Sequence, residues 1–386
     1  MKKLSLHEPH LNSQDQKFLL EAFKSTWISG AGKFVDLLEN QIIKYTGAKN
    51  SVACNSGSSG LFMSLKSLGI KKSYEVIVPT ITFIATINSI VQNYASPIFM
   101  DCDEQFNIDL NKTIKFLNEE TFSRNGFTYN KKTKKKIFAL LIVHCFGFPV
   151  KLDQIIKICK KKNIFIVEDA AESLGSSYIK GDYKNHHTGT IGDIGIISFN
   201  GNKIITGGGG GIIISNDNKK ILKIKYLINQ AKDDPIKFIH NESGYNLRIS
   251  NLQSSLIYSQ LERLNKIIKK KKMIHEIYKK LLDKNKFNLI IDTEFSKSNY
   301  WLNVITLNNN KNNVYNKFVP SLIKKNIEAR YVWYPNHLQK PFKHYQNYKI
   351  NNSLNYVKKS ICLPSGLNLN RNDVYKICKI INNIAI

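Results

Sequence analysis

The sequence predicts an α/β protein with a large domain built on a mostly parallel sheet and a smaller C-terminal α/β domain. Three observations predict it. Strand-like runs alternate with helical segments from about residue 50 to about residue 215, the pattern of a parallel sheet with covering helices. The runs at 75–79 and 137–143 read as strands buried on both faces. A long helical stretch over about 251–283 precedes a change of pattern, which puts a boundary near residue 260 and gives domains 1–260 and 261–386.

Residues 15–26 carry Phe18, Leu19, Ala22 and Phe23 on one face and read as a helix. The loop Ser29-Gly30-Ala31-Gly32 leads to a second helix over about 34–45, which stops at Gly47. Residues 51–54 read as a short strand. Asn55-Ser56-Gly57-Ser58-Ser59-Gly60 turns it into a helix over about 61–68, so free amide N–H groups and the helix dipole point at one spot. An ordinary serine N-cap is the plainer alternative. After the strand at 75–79 come a helix over 82–93, with Phe83 at its start, and a strand at 96–100. Residues 119–136 are polar and charged and read as a loop or insert. The strand at 137–143 is followed by a helix over 152–162 and a strand at 164–167, with Glu168-Asp169 at its C-terminal end. A strand at 212–215 and a helix over 217–230 lead to the loop Gly244-Tyr245-Asn246-Leu247-Arg248 and the long helix. The smaller domain carries strand-like 301–307 and 329–333 and helices over 314–325 and 372–384.

Composition excludes several classes. Hydrophobic residues make up 42%, enough for a core. The net charge of +28 would suit nucleic acid or an acidic membrane. Yet the basic runs at 131–136 and 269–272 lack interleaved aromatics for base stacking. The first reads as an exposed insert and the second as the outer face of a helix, so no nucleic-acid partner is expected. The six cysteines form no Cys-x-x-Cys pair and read as reduced core thiols, with no metal expected. Met1-Lys2-Lys3 lacks the apolar run of a signal peptide, and no window reaches ~18 apolar residues. The expectation is a cytoplasmic protein with no membrane partner.

The chemistry centres on Ser198-Phe199-Asn200-Gly201-Asn202-Lys203-Ile204-Ile205-Thr206 and the glycines 207–211. One lysine among 57 Lys and Arg is ordinarily a solvated side chain. The glycines fit neither a P-loop nor a dinucleotide fingerprint. They read as a loop held near a ligand, where a lysine is a candidate amine nucleophile. In such sheets ligands bind beyond the C-terminal strand ends, where Ser56 to Ser59, Asp169 and Ser198 can converge on one crevice. An amine, a carboxylate past a neighbouring strand, a serine before the lysine and a second anion-binding turn match pyridoxal 5′-phosphate. That cofactor offers an aldehyde, a pyridine nitrogen and a phosphate to these groups. Asp169 is the candidate for the ring nitrogen, although a lone aspartate more commonly serves as an N-cap or turn acid.

Five segments carry a resemblance across nearly the whole chain: Ser56-Gly57-Ser58-Ser59, Pro79-Thr80-Ile81-Thr82-Phe83-Ile84-Ala85-Thr86, Glu168-Asp169-Ala170-Ala171-Glu172-Ser173-Leu174-Gly175, the Lys203 stretch with its glycines, and Gly244-Tyr245-Asn246-Leu247-Arg248. Together they resemble the DegT/DnrJ/EryC1/StrS nucleotide-sugar aminotransferases, fold-type-I pyridoxal-phosphate enzymes with a seven-stranded-type sheet. The resemblance implies that Lys203 holds the cofactor and shuttles protons, and that Asp169 meets the ring nitrogen. It makes Ser58, Ser59 and Ser198 phosphate ligands, sets Phe83 over the cofactor ring and Glu172 near the phenolic oxygen. Asn246 matches a residue that reaches the neighbouring subunit's phosphate, which implies a homodimer with shared sites. Arg330, Trp333 and His337 lie in segments that resemble substrate-binding ones. The Lys203 stretch is similar to the branch that makes UDP-4-amino-4,6-dideoxy-N-acetylglucosamine from the 4-keto sugar, with L-glutamate as the implied donor. Val332-Trp333-Tyr334-Pro335-Asn336-His337 also resembles perosamine-type enzymes. A GDP-perosamine-type enzyme, a dTDP-3-amino sugar transaminase and a non-catalytic protein on the same scaffold stay open as alternatives. One departure is Gly207-Gly208, where the family more usually has Thr-Gly, Thr-Ser or Thr-Glu.

Overall fold

The computed structural model describes residues 3–308 and 312–384. Met1 and Lys2, which open the N-terminus read above, lie outside the described residues. Two helices come first, α1 (Ser13–Lys24) and α2 (Lys33–Thr46). Asn12 and Asp15 cap α1 reciprocally, and Gly47 ends α2 in the left-handed region at φ 76°. Then come β1 (Asn50–Cys54), α3 (Gly57–Ser67), β2 (Tyr74–Pro79), α4 (Ile84–Val91) and β3 (Ser96–Met100). Helix α3 starts at Gly57 rather than near 61, because the Ser56 side chain accepts the Ser59 N–H and pulls the first turn into the helix.

Helix α5 (Leu110–Glu119), capped by Asp109, was not expected from the sequence. The stretch at 119–136 is not a loop. Strands β4 (Thr121–Arg124) and β5 (Phe127–Asn130) pair there as a hairpin. Its turn is Asn125-Gly126, both at positive φ, as a tight two-residue turn requires. Strand β6 (Lys136–Val143), α6 (Asp153–Lys161), β7 (Phe165–Asp169) and β8 (Ser177–Tyr178) follow. So do β9 (Ile194–Ser198), β10 (Gly211–Ser215) and α7 (Asn218–Ile228).

The long helix expected over 251–283 is two helices, α8 (Asn251–Glu262) and α9 (Leu264–Leu281). They break at Arg263, whose φ and ψ are −110° and 10°. The Arg263 guanidinium donates to both Asp15 carboxylate oxygens at 2.6 Å each and to the His10 carbonyl at 3.0 Å, which clamps α1 onto the break. The run at 269–272 is not wholly an outer face: Lys271 is buried, in step with Leu264, Ile267, Ile268, Ile274, His275 and Tyr278. The remainder is β11 (Phe287–Leu289), β12 (Ser296–Lys297), β13 (Asn303–Leu307), α10 (Asn312–Lys324), β14 (Arg330–Tyr331), β15 (Asn347–Tyr348), α11 (Asn352–Tyr356), β16 (Ser360–Leu363) and α12 (Arg371–Asn382).

The large sheet runs β1-β10-β9-β7-β6-β2-β3-β15, with the β4–β5 hairpin attached to β6. From β9 to β15 all neighbours in this row are parallel, and β10 is antiparallel to β9 and β1. Strand β15 is late in the chain yet extends the edge of this sheet beside β3. A second sheet, β11-β13-β16-β14, has its own apolar cluster, in which Phe318, Ile361 and Ile377 join Ile274 and Tyr278 of α9. All six cysteines are free and buried. No helix among the described residues is long and apolar enough to cross a membrane.

Breaking the Arg263–Asp15 pair leaves a largely buried guanidinium without its acid. Asp15→Ala should therefore destabilise the protein by roughly 3 kcal/mol, read as a lowered Tm with faster amide exchange in α1 and α8. Unchanged exchange in α1 would show that the clamp does not hold that helix.

Candidate active site

Register fixes where the chemistry gathers. Asp169 and Ser198 are the last residues of the parallel strands β7 and β9, in the strands rather than just past them. Ser198 pairs with Gly211, and Gly211 pairs with Cys54 at the end of β1. The chain then turns through Ser56 into α3. A Cβ on Gly57 would stand 2.8 Å from the Ser198 Cβ, so only glycine lets the α3 N-terminus lie against that strand end. Ser56 is the N-cap, as the plainer reading has it: its hydroxyl accepts the Ser59 N–H at 3.1 Å and lies 2.9 Å from the Ser59 hydroxyl. Ser58, on the first turn, is exposed.

The loop from β9 to β10 is pinned rather than loose. Phe199 O accepts the Thr206 hydroxyl at 3.0 Å and the Gly207 N–H at 3.1 Å. Gln260 of α8 brackets Thr206 with bonds of 3.1 and 2.6 Å to its N–H and carbonyl. The Trp301 indole donates to Asn202 O at 2.7 Å. The glycines were expected to make a loop near a ligand. Some of them serve close packing: a Cβ on Gly207 would stand 2.9 Å from Ile257 and one on Gly210 2.9 Å from Ile249, while one on Gly208, at φ 75°, would meet nothing within 4 Å. Of the departure at Gly207-Gly208, only Gly207 lies against α8.

Lys203 is nearly buried, with 11% of its side chain exposed, and its ammonium lies 3.3 Å from Glu172 Oε1 and 4.3 Å from the centre of the Trp301 ring. Glu172 Oε2 accepts the Phe146 N–H at 2.9 Å. Burial pushes the Glu172 carboxyl up to about 7, against the pull of Lys203. Asp169 Oδ2 accepts the Thr86 hydroxyl at 2.8 Å and Oδ1 accepts the Ala171 N–H at 3.1 Å. Burial pushes this carboxyl up too, with those two bonds opposing. Beneath lies Glu168, fully buried, accepting N–H groups of Gly189, Ile191 and Gly192 and standing 3.0 Å from His144 Nε2. Val150 N–H donates to His144 Nδ1 at 3.1 Å, so Nε2 carries the proton and donates to Glu168. Burial would raise the Glu168 carboxyl, but His144 and the backbone N–H groups hold it below its ordinary value.

The remaining candidates spread outward. Phe83 caps α4 and is 52% exposed, three residues before Thr86 along the chain. Trp333 stacks on Phe146, centroids 4.6 Å apart and planes 9° off parallel, and Phe146 lies nearly parallel to Trp301 at 6.5 Å. His337 Nδ1 lies 2.7 Å from the Thr80 hydroxyl, and Asn336 donates to the carbonyls of Thr80 and Thr82. That ties their segment to the loop carrying Phe83. Arg330 is exposed on β14 and donates to Glu328 at 2.9 Å. Asn246 is exposed, and its side chain makes no hydrogen bond among the described residues. Its loop is held by Tyr245 N–H to Leu227 O at 2.7 Å and Asn55 N–H to Leu247 O at 2.8 Å. Sequence reasoning gave no part to Phe146, Trp301, Thr86, His144 or Glu168. Phe146 adopts φ 56°, a left-handed conformation that no residue type announces here.

A sequence profile of the DegT/DnrJ/EryC1/StrS aminotransferase family matches residues 9–382. The chain is 33% identical to a putative pyridoxal phosphate-dependent aminotransferase, EpsN, of Bacillus subtilis, over 98% of this chain and 95% of that protein. It is 32% identical to a GDP-perosamine synthase of Escherichia coli O157:H7, over 99% and 98%. It is 31% identical to a UDP-4-amino-4,6-dideoxy-N-acetyl-beta-L-altrosamine transaminase of Campylobacter jejuni, over 77% of this chain and 75% of that protein. Among solved structures, Helicobacter pylori PseC, an aminotransferase involved in pseudoaminic acid biosynthesis, shares the fold with a TM-score of 0.86, at 24% identity over 98% of each chain. A pinned lysine beside a buried acid and a match nearly end to end lead to one conclusion: the chain belongs to the DegT/DnrJ/EryC1/StrS family of pyridoxal-phosphate-dependent sugar aminotransferases.

Proposed function

We propose that the chain transfers the amino group of L-glutamate to C4 of a nucleotide-linked 4-keto-6-deoxy sugar. The observation that carries this is the Lys203 ammonium, fixed 3.3 Å from Glu172 on a loop tied to α8 and Trp301. Pyridoxal phosphate, when bound, supplies an aldehyde and an electron-accepting ring. The residues present fit it. Lys203 Nζ would hold the aldehyde and, as a free amine, would take the proton from the donor's Cα. Asp169 would meet the pyridine nitrogen and hold a proton there. Glu172 would meet the phenolic oxygen, and its carboxyl, pushed up to about 7, can hold or release a proton near neutral pH. Ser58, Ser59 and Ser198, at the N-terminus of α3 and the end of β9, would take the phosphate. The exposed Phe83 ring would cover one face of the cofactor.

Asn246 completes the neighbour's phosphate site in this reading, so the active unit is a two-fold homodimer with shared sites. Arg330 offers an exposed guanidinium to the diphosphate of the substrate. Trp333 and His337 shape the wall that the sugar meets. The UDP-linked 2-acetamido-2,6-dideoxy-4-keto-hexose is the first substrate reading. A GDP-linked 4-keto-6-deoxy sugar is the second, and the perosamine synthase relative favours it by matching 99% of the chain where the altrosamine transaminase matches 77%.

Incubation with glutamate and UDP-, GDP- and dTDP-linked 4-keto-6-deoxy sugars should yield the 4-amino sugar of one nucleotide class by product mass. No amination of any of them would contradict the reading.

A second expectation follows from Glu172. Its folded-state pKa, about 7, lies above the ordinary 4.5. The stability it contributes is fully present below the unfolded value and is lost as pH rises through the folded one. Cofactor-free Glu172→Gln should escape that loss. Relative to the variant, wild type should lose on the order of 3 kcal/mol between about pH 4.5 and about pH 8, measured by denaturant unfolding. A difference that does not change with pH would mean the carboxyl titrates normally.

A further inference from the structure

Asn299 is fully buried on the segment between β12 and β13, and its side-chain amide is bonded at both ends. Nδ2 donates to the Glu172 carbonyl at 2.8 Å and to the Leu174 carbonyl at 2.9 Å. Oδ1 accepts the Trp301 N–H at 2.9 Å, which closes an Asx turn around Tyr300 at φ 53°. The Asn299 backbone N–H goes to the Ser176 hydroxyl at 2.9 Å. Both amide hydrogens are spent and the residue is sealed from solvent, so Asn299 touches neither substrate nor cofactor itself. Whatever it does, it does through the residues it holds.

Those residues are the ones that meet Lys203. Glu172 Oε1 lies 3.3 Å from the Lys203 ammonium, and the centre of the Trp301 ring lies 4.3 Å from it. Glu172 stands on the turn after β7 and Trp301 just ahead of β13, far apart in the chain, and one amide joins their backbones. Trp301 is fixed from its other side by Lys271, which donates to its carbonyl at 2.8 Å. The Phe146-Gly147 turn closes the cluster. Phe146 N–H donates to Glu172 Oε2 at 2.9 Å, and the Ser298 and Ser176 hydroxyls donate to the Gly147 carbonyl at 3.0 and 2.7 Å. A Cβ on Gly147, at φ 95°, would stand 2.1 Å from Asn299 Oδ1, so the glycine leaves the space that the amide fills.

A lysine amine rides on a flexible four-carbon stem and takes its place from what surrounds it. A misplacement of ~1 Å at a reacting group costs about a hundredfold in rate. Removing the Asn299 amide strands two carbonyls and one N–H in a dry interior. The backbones that relax to satisfy them are those that carry the acid and the ring.

We propose that Asn299 is a positioning residue for transamination: it sets the Glu172 carboxylate and the Trp301 ring against Lys203 and so fixes where the lysine amine stands. This rests on the reading of Lys203 as the residue that holds the cofactor.

The test compares Asn299→Ala and Asn299→Ser with wild type, each also in a Glu172→Gln background. Pyridoxal phosphate affinity is read by titration near ~420 nm, and the glutamate half-reaction by single-turnover loss of that absorbance. Expected in Asn299→Ala are a cofactor Kd raised about three- to tenfold and a single-turnover rate lowered about ten- to a hundredfold, with half-saturating glutamate within about twofold of wild type. In Glu172→Gln the same change should cost less than about fivefold in rate and less than about twofold in Kd, because the carboxylate it positions is gone. If Asn299→Ala loads no cofactor, Asn299→Ser carries the cycle, with a rate loss of about three- to tenfold that shrinks to at most about twofold in Glu172→Gln. A lowered Tm with unchanged Kd and rate, or equal losses in both backgrounds, would overturn the proposal. Two variants that fail to fold or to load would do so as well, by making Asn299 a structural residue. A wild-type enzyme whose borohydride label falls on another lysine would instead contradict the reading of Lys203, and the proposal would fall with it.

Discussion

The ammonium of Lys203 and the carboxylate of Glu172 meet at 3.3 Å in a place where little water reaches. Each is expensive to bury alone, and their attraction offsets the cost only if both are held still. Much of the surrounding chain does that holding. Phe146 takes the strained left-handed conformation and spends its N–H on Glu172. Trp301 lays its ring against the ammonium and its indole N–H on Asn202. Gln260 grips Thr206 from α8. The balance leaves the Glu172 carboxyl pushed up to about 7 by its burial, against the pull of Lys203.

A second layer keeps Asp169 available. Its neighbour Glu168 is fully buried, but its bonds go to His144 and to the N–H groups of Gly189, Ile191 and Gly192. The two successive acids at the end of β7 point to opposite faces of the strand, as alternation demands. One is consumed by the scaffold and the other is left with Thr86 and one backbone N–H. That division explains why the adjacent carboxylates of one dipeptide carry different work.

Much of this was legible in the chain. Parallel strands announced themselves as apolar runs such as 137–143, and the residues brought to their ends, Ser198, Asp169 and Lys203, were named from spacing and chemistry. The hairpin of β4 and β5 escaped because its strands are polar, although Asn125-Gly126 carried the turn signal. The break at Arg263 escaped because helical periodicity continues across it; only the distant Asp15 shows why the helix stops there. Lys271 looked like part of a solvated run, but its step along the helix puts it inside, with Ser365 and Trp301 carbonyls replacing water. The glycines after Thr206 suggested a ligand, and their crowding against Ile257 and Ile249 is a tertiary fact that composition does not carry.

The role of Lys203 is the claim on which the chemistry turns. Borohydride reduction of the cofactor-loaded enzyme, followed by peptide mapping, tests it most directly. The pyridoxyl group is expected on the peptide containing Lys203 and absent from Lys203→Ala. A label on any other lysine would contradict the assignment.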